Sequence, residues 1–140
     1  MKKKLFITLS IFFLFSNILN AKSKYFEEAV DLFNQNKLDE AKFKFEQDIV
    51  FNPKNELSYL YLSKIFNKKD DINLEEKNLN AVVLLNPKNE EAIYNLVKLK
   101  LTSSDYNKSK ELYKKLKSIC INFCNKNEKL KIEIENLSKQ

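Results

Sequence analysis

Asn52-Pro53-Lys54-Asn55-Glu56 recurs unchanged as Asn86-Pro87-Lys88-Asn89-Glu90, and the step from Pro53 to Pro87 sets a period for the chain. Identical five-residue strings at such a distance point to an internal repeat. A period between about 20 and 50 residues is the signature of stacked supersecondary units that bury their apolar faces only against one another. Each proline removes a backbone donor and stops whatever helix precedes it.

Working outward from the two strings, the apolar residues follow helical spacing. Tyr25, Ala29, Leu32 and Phe33 fall on one stripe, and Leu38, Ala41, Phe45 and Ile49 on the next. Leu57, Leu60, Tyr61 and Ile65 continue the pattern, then Leu79, Val82 and Val83. Ile93, Leu96, Val97 and Leu101 make a fifth stripe, and Tyr106, Tyr113, Leu116 and Cys120 a sixth. Asp39 is placed to cap the second helix, and Asn73 with Glu76 resembles a capping box. Asn55 and Asn89 each precede a first turn led by Glu, where a carboxylate suits the helix dipole.

Composition agrees with an all-helical chain. Gly is absent, and β-rich domains normally need it for tight turns with positive φ. The chain is rich in Asn, the residue best able to take the left-handed turn positions in place of Gly. His, Trp and Arg are also missing. Without imidazole there is no histidine base, triad or histidine metal ligand. Without Gly there is no phosphate loop or dinucleotide fingerprint, so no nucleotide cofactor is expected. Adjacent carboxylates such as Glu27/Glu28 and Glu90/Glu91 do not face each other on a helix, and no pair is nominated for catalysis. The formal charge is +6. Setting aside Lys2, Lys3 and Lys4 leaves 22 Lys against 19 acids, or +3, with no basic block and no Arg to read a base edge. Nucleic acid is therefore not an expected partner.

The prolines, small residues and large apolar residues together resemble the tetratricopeptide repeat family. With Pro53 and Pro87 at the proline that closes the family's unit, the units run 22–55, 56–89 and 90–123. The family's small residue of the first helix maps to Ala29, Ser63 and Val97. Its second-helix small residue maps to Ala41, Glu75 and Ser109, and the large partner to Phe45, Leu79 and Tyr113. Glu75 and Asp48 depart from the pattern by standing where small apolar residues are usual. Unit three has Ile121 in place of Pro. A last amphipathic segment, 125–140, carries Leu130, Ile134 and Leu137 on one face and reads as a terminal capping helix. The resemblance implies an all-α, right-handed α-α solenoid of about three helix-turn-helix repeats, some seven helices in all. It implies little about function, because the matched residues are packing residues.

In that family the first helix of each pair lines a concave groove. The groove positions map to Phe26, Val30 and Phe33, then Leu60, Lys64 and Asn67, then Tyr94, Lys98 and Leu101. Such a surface suits an extended or helical partner segment, with Lys64 and Lys98 meeting an acidic group. The same apolar residues would equally serve to pack the N-terminal segment or a neighbouring protomer. The family's chaperone-tail grooves clamp a terminal carboxylate with Lys, Asn and Arg. Here Phe26 and Val30 occupy two of those positions and Arg is absent, so that activity is not expected.

Two further segments bear on compartment. Lys2–Lys4, the apolar run Leu5–Leu19 and Ala21 have the layout of a secretory signal peptide over 1–21, and an uncleaved N-terminal anchor is the alternative. Export to the periplasm or beyond would place Cys120 and Cys124 in oxidising surroundings. They bracket the turn that lacks Pro, where a disulfide could staple the chain; two space-filling thiols are the plainer reading. A metal site would need more ligands. The functional expectation is an exported protein-binding scaffold without catalysis. A self-associating envelope subunit and an accessory to a cell-wall enzyme are the alternatives.

Overall fold

The computed structural model describes residues 23–137, so the signal segment expected over 1–21 lies outside the described residues, as do the last three residues. Seven α-helices follow in order: α1 Lys24–Asn34, α2 Leu38–Phe51, α3 Glu56–Lys68, α4 Ile72–Leu85, α5 Glu90–Thr102, α6 Tyr106–Ile119 and α7 Cys124–Leu137. No strand occurs among the described residues. Sequential helices pack as antiparallel pairs, α1 with α2, α3 with α4 and α5 with α6, and the pairs stack into a right-handed α-α solenoid closed by α7.

The turns repeat as faithfully as the packing. Within each pair one residue adopts the left-handed conformation: Asn36 at φ 59°, Asp70 at 56° and Ser104 at 60°, each one repeat period after the last. The amide that follows each of them donates to a carbonyl five residues back, Lys37 to Leu32, Asp71 to Phe66 and Asp105 to Lys100. This six-to-one closure normally employs Gly. Only one of the three is the Asn that sequence reasoning favours for the role. Because the left-handed residue fixes where the next helix can begin, two expected caps are displaced. Asp39 lies inside the first turn of α2, whose N-cap, Lys37, makes no side-chain bond. Asn73 lies inside α4, which Asp71 caps by accepting the Leu74 N–H. Asp105 repeats that cap on α6, at the equivalent position of the next unit. Asn55 and Asn89 cap α3 and α5.

The residues matched to small or large packing positions lie inside. Ala29, Ser63, Val97, Ala41, Glu75, Ser109, Phe45 and Leu79 are all buried, and Tyr113 is half-buried. The core divides in two. Phe26, Ala29, Ala41, Phe45, Leu62, Ile65 and Phe66 form an aromatic-rich cluster over α1–α3. Leu60, Leu79, Val82, Ile93, Leu96 and Val97, with Leu112, Leu116, Leu130 and Ile134, form an aliphatic one over α3–α7. Helix α3 contributes to both.

The turns between pairs are tied by a different device at each level. After α2, the buried Asp48 carboxylate accepts from Asn52 Nδ2 (3.0 Å), Asn55 Nδ2 (2.7 Å) and the Ser58 hydroxyl. After α4, Asn86 Nδ2 donates to Glu56 (3.2 Å). After α6, where Pro is missing, the Glu90 carboxylate accepts the backbone N–H groups of Ile121 (2.8 Å), Asn122 (3.0 Å) and Phe123 (2.8 Å). Cys120 and Cys124 face each other across the same turn with their Cα atoms 5.4 Å apart, joined as a disulfide.

Candidate functional site

The first helices of the pairs, α1, α3 and α5, present the inner face, and two adjoining cavities run along it. One, of about 500 Å³, is walled by Phe26, Val30, Leu57, Leu60 and Tyr61, with Glu27 and Asp31 at its rim. The other, of about 580 Å³, is lined by Phe33, Ser63, Asn67, Lys68, Glu75, Asn95, Lys98 and Thr102. Lys64 and Glu91 line both. Their ion pair (2.8 Å) joins α3 to α5 at the boundary between an apolar compartment and a polar one.

The apolar compartment owes its shape to aromatic packing. Tyr61 stacks on Phe45 (centroids 5.0 Å) and meets Phe26 (6.0 Å) and Phe33 (5.2 Å) edge to face, an arrangement that fits the ring quadrupoles. Lys64 Nζ lies 5.0 Å from the Tyr61 ring centre and Lys68 Nζ 4.9 Å from that of Phe33, so each cation rests on an aromatic face. These stacked lysines fix positive charge along the wall without losing access to water.

In the polar compartment Glu75 is 8 % exposed. Burial pushes its carboxyl above the ordinary glutamate range, against the Asn67 hydrogen bond (3.1 Å) and the charge of Lys98, which lower it. A carboxyl in the place of a small side chain thus becomes a polar wall between α3, α4 and α5. Asp48 goes the opposite way: burial opposes its charge, but hydrogen bonds from Ser58, Ser23, Asn52 and Asn55 outweigh it and hold the carboxyl below its usual range. Glu90 behaves likewise: desolvation opposes its charge, and the backbone donors of the Pro-less turn outweigh it.

The expected groove residues divide accordingly. Phe26, Val30 and Leu60 share the apolar compartment, Phe33, Asn67 and Lys98 the polar one, and Lys64 belongs to both. Tyr94 and Leu101 line neither of these two cavities. Leu101 is 4 % exposed and packs in the second core cluster, of which Leu130 and Ile134 of α7 are members. The Tyr94 ring packs on Phe123 (5.5 Å) with Lys126 Nζ 5.8 Å from its centre, so the third inter-pair turn covers it. Among the wall residues outside the family mapping are Tyr61, Lys68, Glu91 and Asn95. The signal for Tyr61 was its place directly after Leu60 on the same stripe; Glu91 stands one repeat period after Leu57, at an equivalent position of changed polarity. Among the described residues no cluster of His, Cys, Asp or Glu is arranged to hold a metal ion.

No family model matches the chain, and no curated protein matches it. Solved structures do. The first TPR domain of Spaghetti (RPAP3), bound to the HSP90 peptide SRMEEVD, superposes with a TM-score of 0.71 at 18% identity, over 81% of this chain and 90% of that one. The type III secretion chaperone SycD of Yersinia enterocolitica, in complex with a peptide of the translocator YopD, gives 0.72 at 11% identity over 82% and 90%. The Sgt2 TPR domain from Aspergillus fumigatus gives 0.68 at 16% identity over 84% and 81%. At these identities the likeness is one of fold.

Proposed function

We propose that this chain, whose fold is that of the tetratricopeptide repeat, is an exported interaction module that holds a segment of a partner protein along its inner face. The observation that carries the reading is the pair of adjoining cavities, apolar beside Phe26, Val30 and Tyr61 and polar beside Lys64, Lys68 and Lys98. A preformed cleft of this kind takes an apolar anchor at one end and an acidic group at the other. Two of the similar structures hold peptides, which supports a peptide as the class of ligand. Their sequences differ too far from this one to carry over which peptide. The reading assigns no catalytic step.

Export rests on residues 1–21 and suits the Cys120–Cys124 pair, for which an oxidising compartment is the natural setting. Mass spectrometry of the exported protein without reductant checks that part: two free thiols would contradict it. Binding is tested by crosslinked pull-down from the envelope fraction. The variants are Val30→Glu in the apolar compartment, Lys98→Glu in the polar one and Phe43→Glu on the exposed outer face, all screened by circular dichroism for retained helix. A partner lost with Val30→Glu and Lys98→Glu but kept with Phe43→Glu supports the cleft. Retention by all three, or capture of nothing but further copies of the chain, refutes it.

A further inference from the structure

The two compartments of the cleft differ in charge as well as in polarity. Among the described residues, Glu27, Asp31 and Glu91 line the apolar one against a single cation, Lys64. Glu91 and Lys64 are paired at 2.8 Å, so their charges offset each other. Glu27 and Asp31 are left over. Both are exposed, and neither has a lysine within ion-pair distance among the described residues. Lys24 of α1 and Lys44 of α2 go to Glu28 instead. The polar compartment is nearer balance, with Lys64, Lys68 and Lys98 against Asp70, Glu75 and Glu91.

Helix α1 gains little from carrying this charge. Glu27 lies in the first turn, where a carboxylate suits the dipole. Asp31 lies in the last turn, where a negative charge opposes the dipole and no basic residue offsets it. The two acids are also four residues apart on one face, a spacing at which like charges repel. Phe26 and Val30 keep the same spacing one residue earlier, so α1 carries an apolar row and an acidic row in adjoining positions. Leu57, 37 % exposed, and the half-buried Tyr61 complete the apolar wall from α3.

We propose that the apolar compartment takes a basic segment of a partner protein, its apolar anchor against Val30, Leu57 and Tyr61 and a lysine or arginine beside the anchor meeting Glu27 and Asp31. Resting on the cleft reading, this occupant gives the segment a direction, with its cation over α1 and any acidic group toward Lys98. Charge complementarity selects it. A cation set between Glu27 and Asp31 offsets both their mutual repulsion and the dipole penalty at Asp31, whereas an acidic flank at that end adds to both.

A random peptide library displayed on phage is selected on the immobilised full chain, on its Glu27→Gln/Asp31→Asn variant and on Val30→Lys, each screened by circular dichroism for retained helix. Peptides from the unaltered chain should carry Lys or Arg beside a large apolar pair. Those from Glu27→Gln/Asp31→Asn should keep the apolar pair and lose the basic preference. A synthetic peptide from the first selection, followed by fluorescence anisotropy, should bind about threefold more weakly for each carboxylate removed and about ninefold for both. Raised salt should act in the same direction. Neutral or acidic flanks from the unaltered chain, or a basic preference that survives removal of both carboxylates, overturn the proposal and leave the cleft reading standing. Peptides that bind Val30→Lys undiminished do not use the compartment and overturn both. So does failure to enrich any peptide, or a dimer of the chain that Val30→Lys disperses, since a second copy would then fill the compartment.

Discussion

Replacing Asp48 by Ala tests whether the first inter-pair turn is held by a buried anion rather than by Pro53. The carboxylate is fully buried and accepts from Asn52, Asn55 and Ser58, with Ser23 a further donor. Their fates on its removal differ. Asn52 is exposed and rehydrates, Asn55 is half-buried and partly rehydrates, and the Ser58 hydroxyl is buried and loses its acceptor. A stranded buried donor costs about 1–3 kcal/mol and each lost bond to a charged group about 1.5–3 kcal/mol before rehydration is counted. Together these give a loss of about 3 kcal/mol. For a domain of this size that is a fall in Tm of about 12 °C, or about 2 M in the urea midpoint at a typical slope. The pH dependence supplies a second readout. The folded-state pKa of Asp48 lies below its unfolded value, so its stabilisation is complete above the ordinary aspartate range. That stabilisation is lost as pH falls through the folded value. Asp48→Ala should therefore be most damaging at neutral pH and less damaging in acid. Urea titrations followed at the helical circular dichroism band, at neutral and acid pH, measure both. A loss below about 1 kcal/mol, the floor for a stranded buried donor, or one independent of pH, would refute the assignment.

Two other substitutions follow from the same physics with opposite sign. Glu75 is held above its ordinary range, chiefly by burial, so its contribution is greatest while it is protonated and declines as pH rises through the folded pKa. Glu75→Gln, which keeps the shape and an acceptor for Asn67, should be more stable than the parent at neutral pH and equal to it in acid, by thermal melts across that range. Ser104→Gly should raise stability by about 0.5–1 kcal/mol, because Ser is strained by its left-handed backbone, while Asn36→Gly should be nearly neutral because Asn tolerates it. Parallel urea midpoints of the two variants decide this, and equal gains would count against the explanation.

The fold was legible because its determinants are local and periodic. The repeated pentapeptide fixes the unit, and Ala29, Ala41 and Phe45 declare which faces meet. What was less legible depends on whether neighbours exist. Leu101 occupies the same register as Phe33 and Asn67, yet packs in the core cluster that also holds Leu130 and Ile134 of α7. Tyr94 looks like an anchor until Phe123 is laid against it. The displaced caps have another cause. Asp39 and Asn73 have good capping chemistry, but a left-handed residue at Asn36 or Asp70 starts the next helix before they are reached. Aligning Lys37, Asp71 and Asp105 at the repeat spacing would have shown it. Asp48 and Glu75 read in sequence as flaws in the repeat, and only the positions of Asn52, Asn55, Ser58 and Asn67 turn them into acceptors.

The division of the core into two clusters has a mechanical consequence. Load that enters through the chain before Ser23 bears first on α1 and α2, whose buried apolar side chains lie in the aromatic cluster. Peeling that pair from α3 would let out the chain from Lys24 to Phe51, roughly 90–100 Å when fully extended. The aliphatic cluster, anchored by Leu79, Ile93, Leu116 and Leu130, would be left intact behind it. Leu62, Ile65 and Phe66 would be uncovered in the process, and their reburial would pull the pair back when tension falls. The first helix pair is in this sense a spring in series with the rest of the stack, able to yield under tension while the aliphatic core holds.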